Sequence, residues 1–275
     1  MDLTKGKIIW AGIFAVLIST NIQPVLAQTS SAPNQPYRGL GNMVATAFTY
    51  DRYGDDFEDW QRMYLEYRKF TEKNTYIGRL NVGNRFRLTD YQGEIDLWPI
   101  FSGKWYGNFN LGLSGGDLFP EFKGSGELYR VIPGGFEASA GVRYLKFSTD
   151  DVFIFTGSLN KYAGSWLLIA RPFITPQDSG VSASLNVTAR RYFGNPEKFA
   201  SVIAGFGFSP DERSLIDGVP EERLLKTRYV GLIGNYLVQN RFELFGEVKA
   251  SSQEFPFTDQ FVSIYTFETG IRYRF

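Results

Sequence analysis

Apolar and polar residues alternate along most of the chain from about residue 42 to its end. The clearest case is the last segment, 261–275 (FVSIYTFETGIRYRF), in which every second position from the first onward is mainly apolar. The positions between them include Glu268, Arg272 and Arg274 and form a charged face. A period of two residues predicts β-strands with one apolar and one polar surface. Because such a terminal strand would be an exposed edge in a soluble sheet, we expect it to pair with the first strand and close a barrel.

Fourteen segments of this kind are predicted, separated by turns rich in Gly, Pro, Asp and Asn. They lie near residues 42–53, 60–70, 75–88, 91–101, 105–113, 122–132, 136–144, 152–161, 165–174, 181–190, 199–208, 225–238, 242–249 and 261–275. Connections from odd to even strands are mostly long and the others mostly tight, which is typical of bacterial barrels with both termini in the periplasm. The predicted fold is therefore all-β, a transmembrane up-and-down antiparallel β-barrel with a polar lumen.

The strand count depends on two weak points. The twelfth segment alternates poorly, and the turn at 89–91 between the third and fourth segments has little turn chemistry beyond Asp90. Merging the third and fourth segments alone would give an odd number of strands, whereas the number in a bacterial barrel is even. The alternative to fourteen is therefore twelve, which requires two such errors.

Composition agrees with a membrane barrel once the alternation is taken into account. The chain is 43 % hydrophobic and, after residue 27, it contains no apolar run long enough for a membrane-spanning helix. A barrel distributes its apolar residues over one face of every strand, so average hydrophobicity is expected. The 17 % of aromatic residues and the 29 glycines suit aromatic girdles and curved strands.

The first 27 residues have the pattern of a secretory signal peptide. Lys5 and Lys7 precede the apolar run 8–18, and small residues lead to a predicted cleavage between Ala27 and Gln28. Residues 28–41 are predicted to be a short disordered lead-in, and residues 42–275 are predicted to be the barrel. The chain contains no cysteine, which excludes disulfides and cysteine metal sites.

The last eight residues resemble the C-terminal assembly signal of bacterial outer-membrane barrels. Glu268, Gly270, Tyr273 and Phe275 supply the polar residue, the glycine and the two terminal aromatic residues of that signal. The resemblance implies that the barrel assembly machinery of the outer membrane is a partner.

The region 120–210 resembles the YaiO family of outer-membrane barrels. The resemblance is carried by a glycine followed by Arg143-Tyr144, the turn Tyr162-x-Gly164, the pair Arg171-Pro172 and the run Arg190-Arg191-Tyr192. It implies an outer-membrane location and a single small barrel that extends over residues 42–275. It leaves the activity open, and contact with surface polysaccharide is one suggestion for the family.

Enzymatic functions are disfavoured by the absence of histidine. Histidine is the usual proton carrier near neutral pH, so a serine triad or a histidine-assisted aspartate site is excluded. Glu94 and Asp96 lie two residues apart on one strand face and are the obvious carboxylate pair, but ion pairing with arginines opposite them is the favoured interpretation. An acidic loop, Asp55, Asp56, Glu58 and Asp59, offers oxygen ligands for divalent cations, although a solvated loop is the commoner case. We expect no catalytic residue, cofactor or metal.

The polar strand faces predict a lumen lined by charged residues. The candidate charge network consists of Arg62, Glu66, Arg68, Arg79, Arg85, Arg87, Glu94, Asp96, Arg143, Arg190, Glu243, Glu247, Glu268 and Arg272. With Glu137, Arg241, Lys249 and Arg274 added, eleven basic residues face seven acidic ones, and this excess would favour anions if water passes.

Two functions follow from this lumen. The first is a passive channel or transport conduit for small or anionic solutes or saccharides. The alternative is a non-conducting structural barrel, closed by its own ion pairs, whose external loops contact surface polysaccharide. In both cases the expected surroundings are outer-membrane lipids and lipopolysaccharide. Nucleic acid is not expected as a partner because the chain has no net formal charge.

Overall fold

The chain forms a closed barrel of fourteen antiparallel β-strands in a computed structural model. The structure describes residues 41–54, 57–148, 151–177, 180–209, 225–254 and 260–275. The strands are β1 (Asn42–Tyr53), β2 (Trp60–Phe70), β3 (Asn74–Arg85), β4 (Leu88–Pro99), β5 (Trp105–Ser114), β6 (Phe122–Ile132), β7 (Phe136–Lys146), β8 (Asp151–Ala163), β9 (Trp166–Gln177), β10 (Gly180–Tyr192), β11 (Phe199–Ser209), β12 (Leu225–Val238), β13 (Phe242–Glu254) and β14 (Phe261–Arg274). The prediction of fourteen strands is confirmed, and the twelve-strand alternative is wrong. The predicted signal peptide and all but the last residue of the predicted lead-in lie outside the described residues.

The barrel closes where β1 pairs with β14. Their register places Thr49 opposite Glu268 and Ala47 opposite Gly270. The backbone groups of Asn42 and Phe275 exchange two hydrogen bonds of 3.1 Å at the end of this seam. Since β1 also pairs with β2, the first strand has a neighbour on each side, and the predicted closure is confirmed.

The outer surface of the barrel is an apolar band. Large apolar side chains point outward on successive strands, for example Leu65, Leu80, Ile95 and Leu111, which are 58 %, 63 %, 66 % and 58 % exposed. The charged positions between them point into the lumen, as the alternation predicts. A continuous apolar exterior around a polar interior is the arrangement of a barrel that spans a membrane.

None of the residues that the structure describes belongs to a helix able to cross a bilayer.

The two ends of the barrel differ in their connections. One end holds residues 42 and 275 and the connections that follow even-numbered strands, and we call it the turn end. The opposite end is the loop end. Two of the turn-end connections are tight because their residues adopt left-handed backbone conformations. Gly134 and Gly135 have φ of 85° and 74°, and Gln239 and Asn240 have φ of 48° and 60°, which are left-handed conformations typical of tight hairpin turns.

The connection between β3 and β4 corrects the sequence prediction. The turn is formed by Phe86 and Arg87, with φ of 52° and 61°, and residues 89–91 belong to β4. The expectation that the third strand continues to Leu88 is therefore wrong. The aromatic ring of Phe86 lies 4.5 Å from the guanidinium of Arg85 and packs against the buried cluster that contains Trp60, Leu118 and Phe119.

Apolar side chains also occur inside the barrel. Ala47, Ile203, Ile233 and Phe245 form a buried cluster that fills part of the lumen. This cluster explains the poor alternation of β12, because Ile233 is apolar but faces inward. A Cβ atom on Gly270 would collide with the ring of Phe245. This glycine of the predicted assembly signal therefore leaves the space that the ring occupies.

Candidate functional site: the barrel lumen

A row of alternating charges crosses β2, β3 and β4. The register pairs Glu66 with Arg79 and Arg79 with Glu94, so an arginine stands between two glutamates. Nη2 of Arg79 lies 2.6 Å from Oε2 of Glu66, and Nη1 lies 2.7 Å from Oε2 of Glu94. Asp96 is 3.8 Å from the same guanidinium. Since all four side chains are buried, Arg79 compensates three carboxylates that water does not reach.

The row extends at both ends. Arg68 donates to Glu66 from the same strand. On the other side, Nζ of Lys123 on β6 donates to Glu94 at 3.0 Å, across the intervening strand β5. The β5 residue between them is Gly112, and a Cβ there would lie 3.3 Å from the Glu94 side chain. The glycine therefore leaves room for an ion pair between strands that are not neighbours.

A second charge group, on β6 to β9, was not predicted as a pair. Nη1 of Arg171 donates to both carboxylate oxygens of Glu127 at 2.8 and 2.9 Å across two strands. The small residues Ser139 and Ser158 lie between them and approach each other at 2.7 Å, and Ser139 also donates to Glu127. Sequence reasoning noted Arg171 only as part of the family pattern and did not place Glu127 in the lumen.

A third charge group lies at the turn end. Glu243 accepts from Arg272 at 3.1 Å and pairs with Arg274 at 2.6 Å. Arg274 also donates to Glu197, which lies in the connection between β10 and β11, at 3.2 Å. Burial raises the pKa of the Glu197 carboxyl, although Arg274 opposes this shift. The last strand is thus tied through its arginines to β13 and to a turn.

The seam strands carry further buried acids. The hydroxyl of Thr49 donates to Oε2 of Glu268 at 2.8 Å, and Nη2 of Arg62 donates to Asp51 at 2.7 Å. Glu247 on β13 is the direct cross-strand neighbour of Glu268. Glu268 of the predicted assembly signal therefore points into the lumen.

Most of the predicted lumen residues do face the interior, and two do not. The inward-facing ones from the predicted network are Arg62, Glu66, Arg68, Arg79, Arg85, Glu94, Asp96, Arg143, Arg190, Glu243, Glu247, Glu268 and Arg272. Arg87 is corrected, because it is exposed in the β3–β4 turn. Arg241 is corrected for the same reason, since it is exposed in the turn before β13.

The charges in the lumen are nearly balanced, but they are unequally accessible. On the described strands, eleven basic side chains face ten acidic ones, so the predicted excess of four falls to one. All ten acidic side chains are buried: Asp51, Glu66, Asp90, Glu94, Asp96, Glu127, Glu137, Glu243, Glu247 and Glu268. Six of the basic ones stay partly exposed: Arg62, Lys123, Arg143, Arg190, Arg272 and Arg274. The charged side chains that water meets inside the barrel are therefore basic, although Arg62, Lys123, Arg272 and Arg274 are paired with buried acids.

Strand β10 supplies a polar wall with access to water. Asn186, Thr188 and Arg190 follow one another on its inner face and are each half-buried, and Ser184 precedes them with its hydroxyl buried. Arg190 donates to the hydroxyl of Ser201 at 3.1 Å and lies 4.0 Å from the centre of the Phe199 ring. These contacts orient the guanidinium without neutralising it.

The loop end is narrowed by residues 115–121, the connection between β5 and β6. Leu118 and Phe119 are buried against lumen-facing residues, among them Trp60 of β2, whose ring centre lies 6.2 Å from that of Phe119. The carboxylate of Asp90 accepts the N–H groups of Leu118 at 3.0 Å, of Phe119 at 3.1 Å and of Gly115 at 3.3 Å. This connection therefore folds inward, held by the Asp90 carboxylate on β4 and by the Ser114 hydroxyl, which donates to the Pro120 carbonyl at 2.7 Å and accepts the Gly116 N–H at 3.0 Å.

The carboxylates that the sequence offers as a catalytic pair or as cation ligands bind other protein groups in the structure. Glu94 and Asp96 belong to the charge row around Arg79, as the ion-pair interpretation predicts. In the acidic loop, Asp55 and Asp56 lie outside the described residues, and Asp59 accepts from the Tyr50 hydroxyl and the Tyr53 N–H. Among the residues that the structure covers, no group of three or more acidic side chains is placed to hold a metal ion.

Comparison with known families identifies the barrel. Residues 41–212 match the family model of the YaiO membrane beta barrel domain. The chain belongs to this family. The match covers β1 to β11 and ends in the connection before β12, so the last three strands continue the same barrel beyond it. A comparison with curated proteins finds no match.

Solved structures show the same architecture. The chain is similar to a structure described as a bacterial polysaccharide outer membrane secretin, with 6 % identity, a TM-score of 0.52, and coverage of 85 % of this chain and 98 % of that one. It is also similar to the outer membrane protein Omp33 of Acinetobacter baumannii, with 10 % identity, a TM-score of 0.50, and coverage of 86 % and 100 %. At this identity the likeness shows the fold alone. Together with the family match, it identifies the protein as an outer-membrane β-barrel with a porin-like fold.

Proposed function

We propose that the barrel is a narrow passive conduit for small anionic solutes. The observation that carries this proposal is the unequal access to charge in the lumen. Every acidic side chain on the inner face of the described strands is buried, whereas Arg143, Arg190 and four other basic side chains stay partly exposed. A solute that enters would meet fixed positive charge, and rings of arginine or lysine favour anions in pores.

The geometry also supports a narrow path. Fourteen strands stand between the filled eight-stranded barrels and the open channels of 16 to 18 strands. Here the wall formed by β1 to β4 is occupied by buried ion pairs, while the inner face of β10 carries half-buried Ser, Asn, Thr and Arg side chains. The path available to water would therefore run along β10 and past Arg143 and Arg190. Hydroxyl and amide groups there can replace part of the hydration of a small solute.

The proposed orientation places the turn end, which holds residues 42 and 275, in the periplasm. It is supported by the lengths of the connections, which run from two to six residues at this end, whereas four of those at the other end run from six to fifteen residues. In this orientation the inward-folded residues 115–121 guard the external mouth. We propose no catalytic step, because Glu94 and Asp96, the candidate pair, are committed to Arg79 and Lys123.

Single-channel recording in a planar bilayer tests the proposal. With a potassium chloride gradient, we expect a small, steady conductance whose reversal potential reports preference for chloride. Replacing Arg143 and Arg190 together by glutamine should shift the reversal potential toward zero or toward potassium. The matched control is Arg130→Gln, which removes a basic side chain that lies on the outer surface. A channel whose selectivity is unchanged by the double replacement would overturn the assignment.

A non-conducting barrel is the second candidate, and two observations favour it. Leu118 and Phe119 fill the mouth at the loop end, and the cluster around Phe245 occupies part of the lumen. If the path is closed, function would pass to the external loops, and surface polysaccharide would be the proposed partner. Absence of current from a folded, correctly inserted barrel would support this candidate against the conduit.

A further inference from the structure

Three pairs of neighbouring strands carry the same outward-facing arrangement at the turn end. The register places Trp105 opposite Arg130 on β5 and β6, Phe136 opposite Lys161 on β7 and β8, and Trp166 opposite Arg191 on β9 and β10. We call these six residues the turn-end belt. Each pair joins one aromatic ring to one cation, on the same face as the apolar band.

The cations lie over or beside the rings. The charged group is 5.3 Å from the ring centre in the pair of Arg130 and Trp105, 3.9 Å in the pair of Lys161 and Phe136, and 5.6 Å in the pair of Arg191 and Trp166. Lys161 also donates to the Gly134 carbonyl at 2.7 Å. An aromatic ring holds a cation in place without neutralising its charge. Lysine and arginine retain further N–H donors that these contacts do not use.

The belt is exposed at the turn-end margin of the apolar band, where Trp105, Phe136 and Trp166 are the first residues of their strands. Trp105, Phe136 and Trp166 are 42 %, 39 % and 43 % exposed, and Arg130 and Arg191 are exposed as well. Successive cations stand on β6, β8 and β10, two strands apart, which is about 10 Å. The belt therefore presents a line of positive charges along one sector of the rim, each beside an aromatic ring of the kind that anchors at membrane interfaces.

The loop end of the same sector is different. It carries a cluster of rings, Phe122, Tyr144 and Phe153, with centres 5.9 and 4.8 Å apart. Lys146 at that end pairs with the Glu121 carboxylate at 3.3 Å. At the loop end of this sector the positive charge of Lys146 is thus offset by an acid, whereas in the belt the cations are held beside uncharged rings.

We propose that the turn-end belt binds the phosphate groups of anionic phospholipids. The charges are complementary, and the neighbouring apolar band accepts the acyl chains. In the proposed orientation the belt lies in the periplasmic leaflet, which consists of phospholipid. The three cations would bind headgroups along one sector and so surround the barrel with an uneven lipid shell. This inference rests on the proposed orientation and does not depend on conduction.

The tryptophans of the chain provide a direct probe. Trp60 and Trp98 are inside the barrel, 2 % and 7 % exposed, whereas Trp105 and Trp166 belong to the belt. The fifth tryptophan, Trp10, lies in the predicted signal peptide and is replaced by phenylalanine. Lipids with brominated acyl chains quench only the tryptophans that they touch. Quenching in this variant therefore reports on the belt. The barrel is reconstituted in mixed vesicles of phosphatidylglycerol and phosphatidylcholine, with the bromine on one lipid or on the other. The two quenching curves give the relative affinity of the belt for the anionic lipid.

We expect brominated phosphatidylglycerol to be preferred by about fivefold per site, from about 1 kcal/mol for each basic side chain near an anionic surface. The triple replacement Arg130→Gln, Lys161→Gln and Arg191→Gln should abolish the preference. Arg228→Gln is the matched control, because Arg228 lies 5.6 Å from the ring centre of Phe261 at the loop end. This control should retain the preference.

Other results would overturn the proposal. Equal quenching by the two lipids in the wild-type barrel would show that the belt does not select headgroup charge. A preference that survives the triple replacement, or that Arg228→Gln abolishes equally, would place the selectivity elsewhere. If the triple variant does not fold, the charge-preserving pair Arg130→Lys and Arg191→Lys should keep the preference. In the folded wild-type barrel, raising the salt concentration should then weaken it.

Discussion

Arg79 is the residue on which the charge row depends. It is buried and contacts Glu66, Glu94 and Asp96, so its removal would leave carboxylates in the interior with less compensation. A buried ion pair adds little stability compared with well-packed apolar residues, but breaking one from one side is costly. The network is therefore better understood as fixing the arrangement of β2, β3 and β4 than as a source of stability.

We predict that Arg79→Ala lowers the free energy of unfolding by about 3–5 kcal/mol. The reason is that the carboxylates of Glu66 and Glu94 lose their shared partner while they stay buried. Denaturant unfolding of the reconstituted barrel, followed by tryptophan fluorescence, measures the loss. Arg241→Ala, in an exposed turn, should change the stability by no more than about 0.5 kcal/mol. A similar effect of both replacements would contradict the role given to Arg79.

At the residue scale, alternation predicts which face a charge occupies but not where a strand stops. Arg87 continues the pattern of Arg79 and Arg85, yet the chain turns at Phe86 and Arg87, which adopt left-handed conformations. Nothing in the local pattern marks this turn, because neither residue is a typical turn residue. Glu127 was missed as a partner of Arg171 because their contact spans two intervening strands.

At the scale of elements, the connection 115–121 controls the loop end. Its inward path depends on Asp90, whose two oxygens accept three backbone N–H groups, and on the burial of Leu118 and Phe119. Sequence reasoning assigned this segment to an external loop and could not predict the inward fold, since that depends on a carboxylate 25 to 29 residues away in sequence. The strands themselves were predictable because each repeats a local pattern.

We predict that Asp90→Ala opens the mouth of the barrel at the loop end. Loss of the carboxylate leaves three N–H groups without their acceptor, so the loop should leave its position against Trp60. Single-channel conductance should rise by about twofold or more, and limited proteolysis should cut the loop faster. Asp117→Ala is the control, because Asp117 is exposed in the same loop and should leave both measurements unchanged. Unchanged conductance with faster proteolysis would show that the loop moves but does not limit the path.

At the scale of the whole molecule, the proposed conduit would separate access from selectivity. Access depends on the loop end, where Asp90 holds Leu118 and Phe119 over the mouth. Selectivity depends on the accessible charges of the interior, above all Arg143 and Arg190, on β7 and β10. The two features lie on different strands, β4 for Asp90 and β7 and β10 for the arginines, so their effects on free energy are expected to be independent.

This independence leads to a prediction for the combined variant. Asp90→Ala should raise conductance and leave the reversal potential unchanged, because it widens the mouth without changing the charge along β10. Arg143→Gln with Arg190→Gln should shift the reversal potential and have a smaller effect on conductance. All three replacements together should give the sum of both effects, measured in one salt gradient. If opening the mouth also removes the preference for chloride, selectivity would reside at the loop end, and the partly exposed arginines would have a structural role.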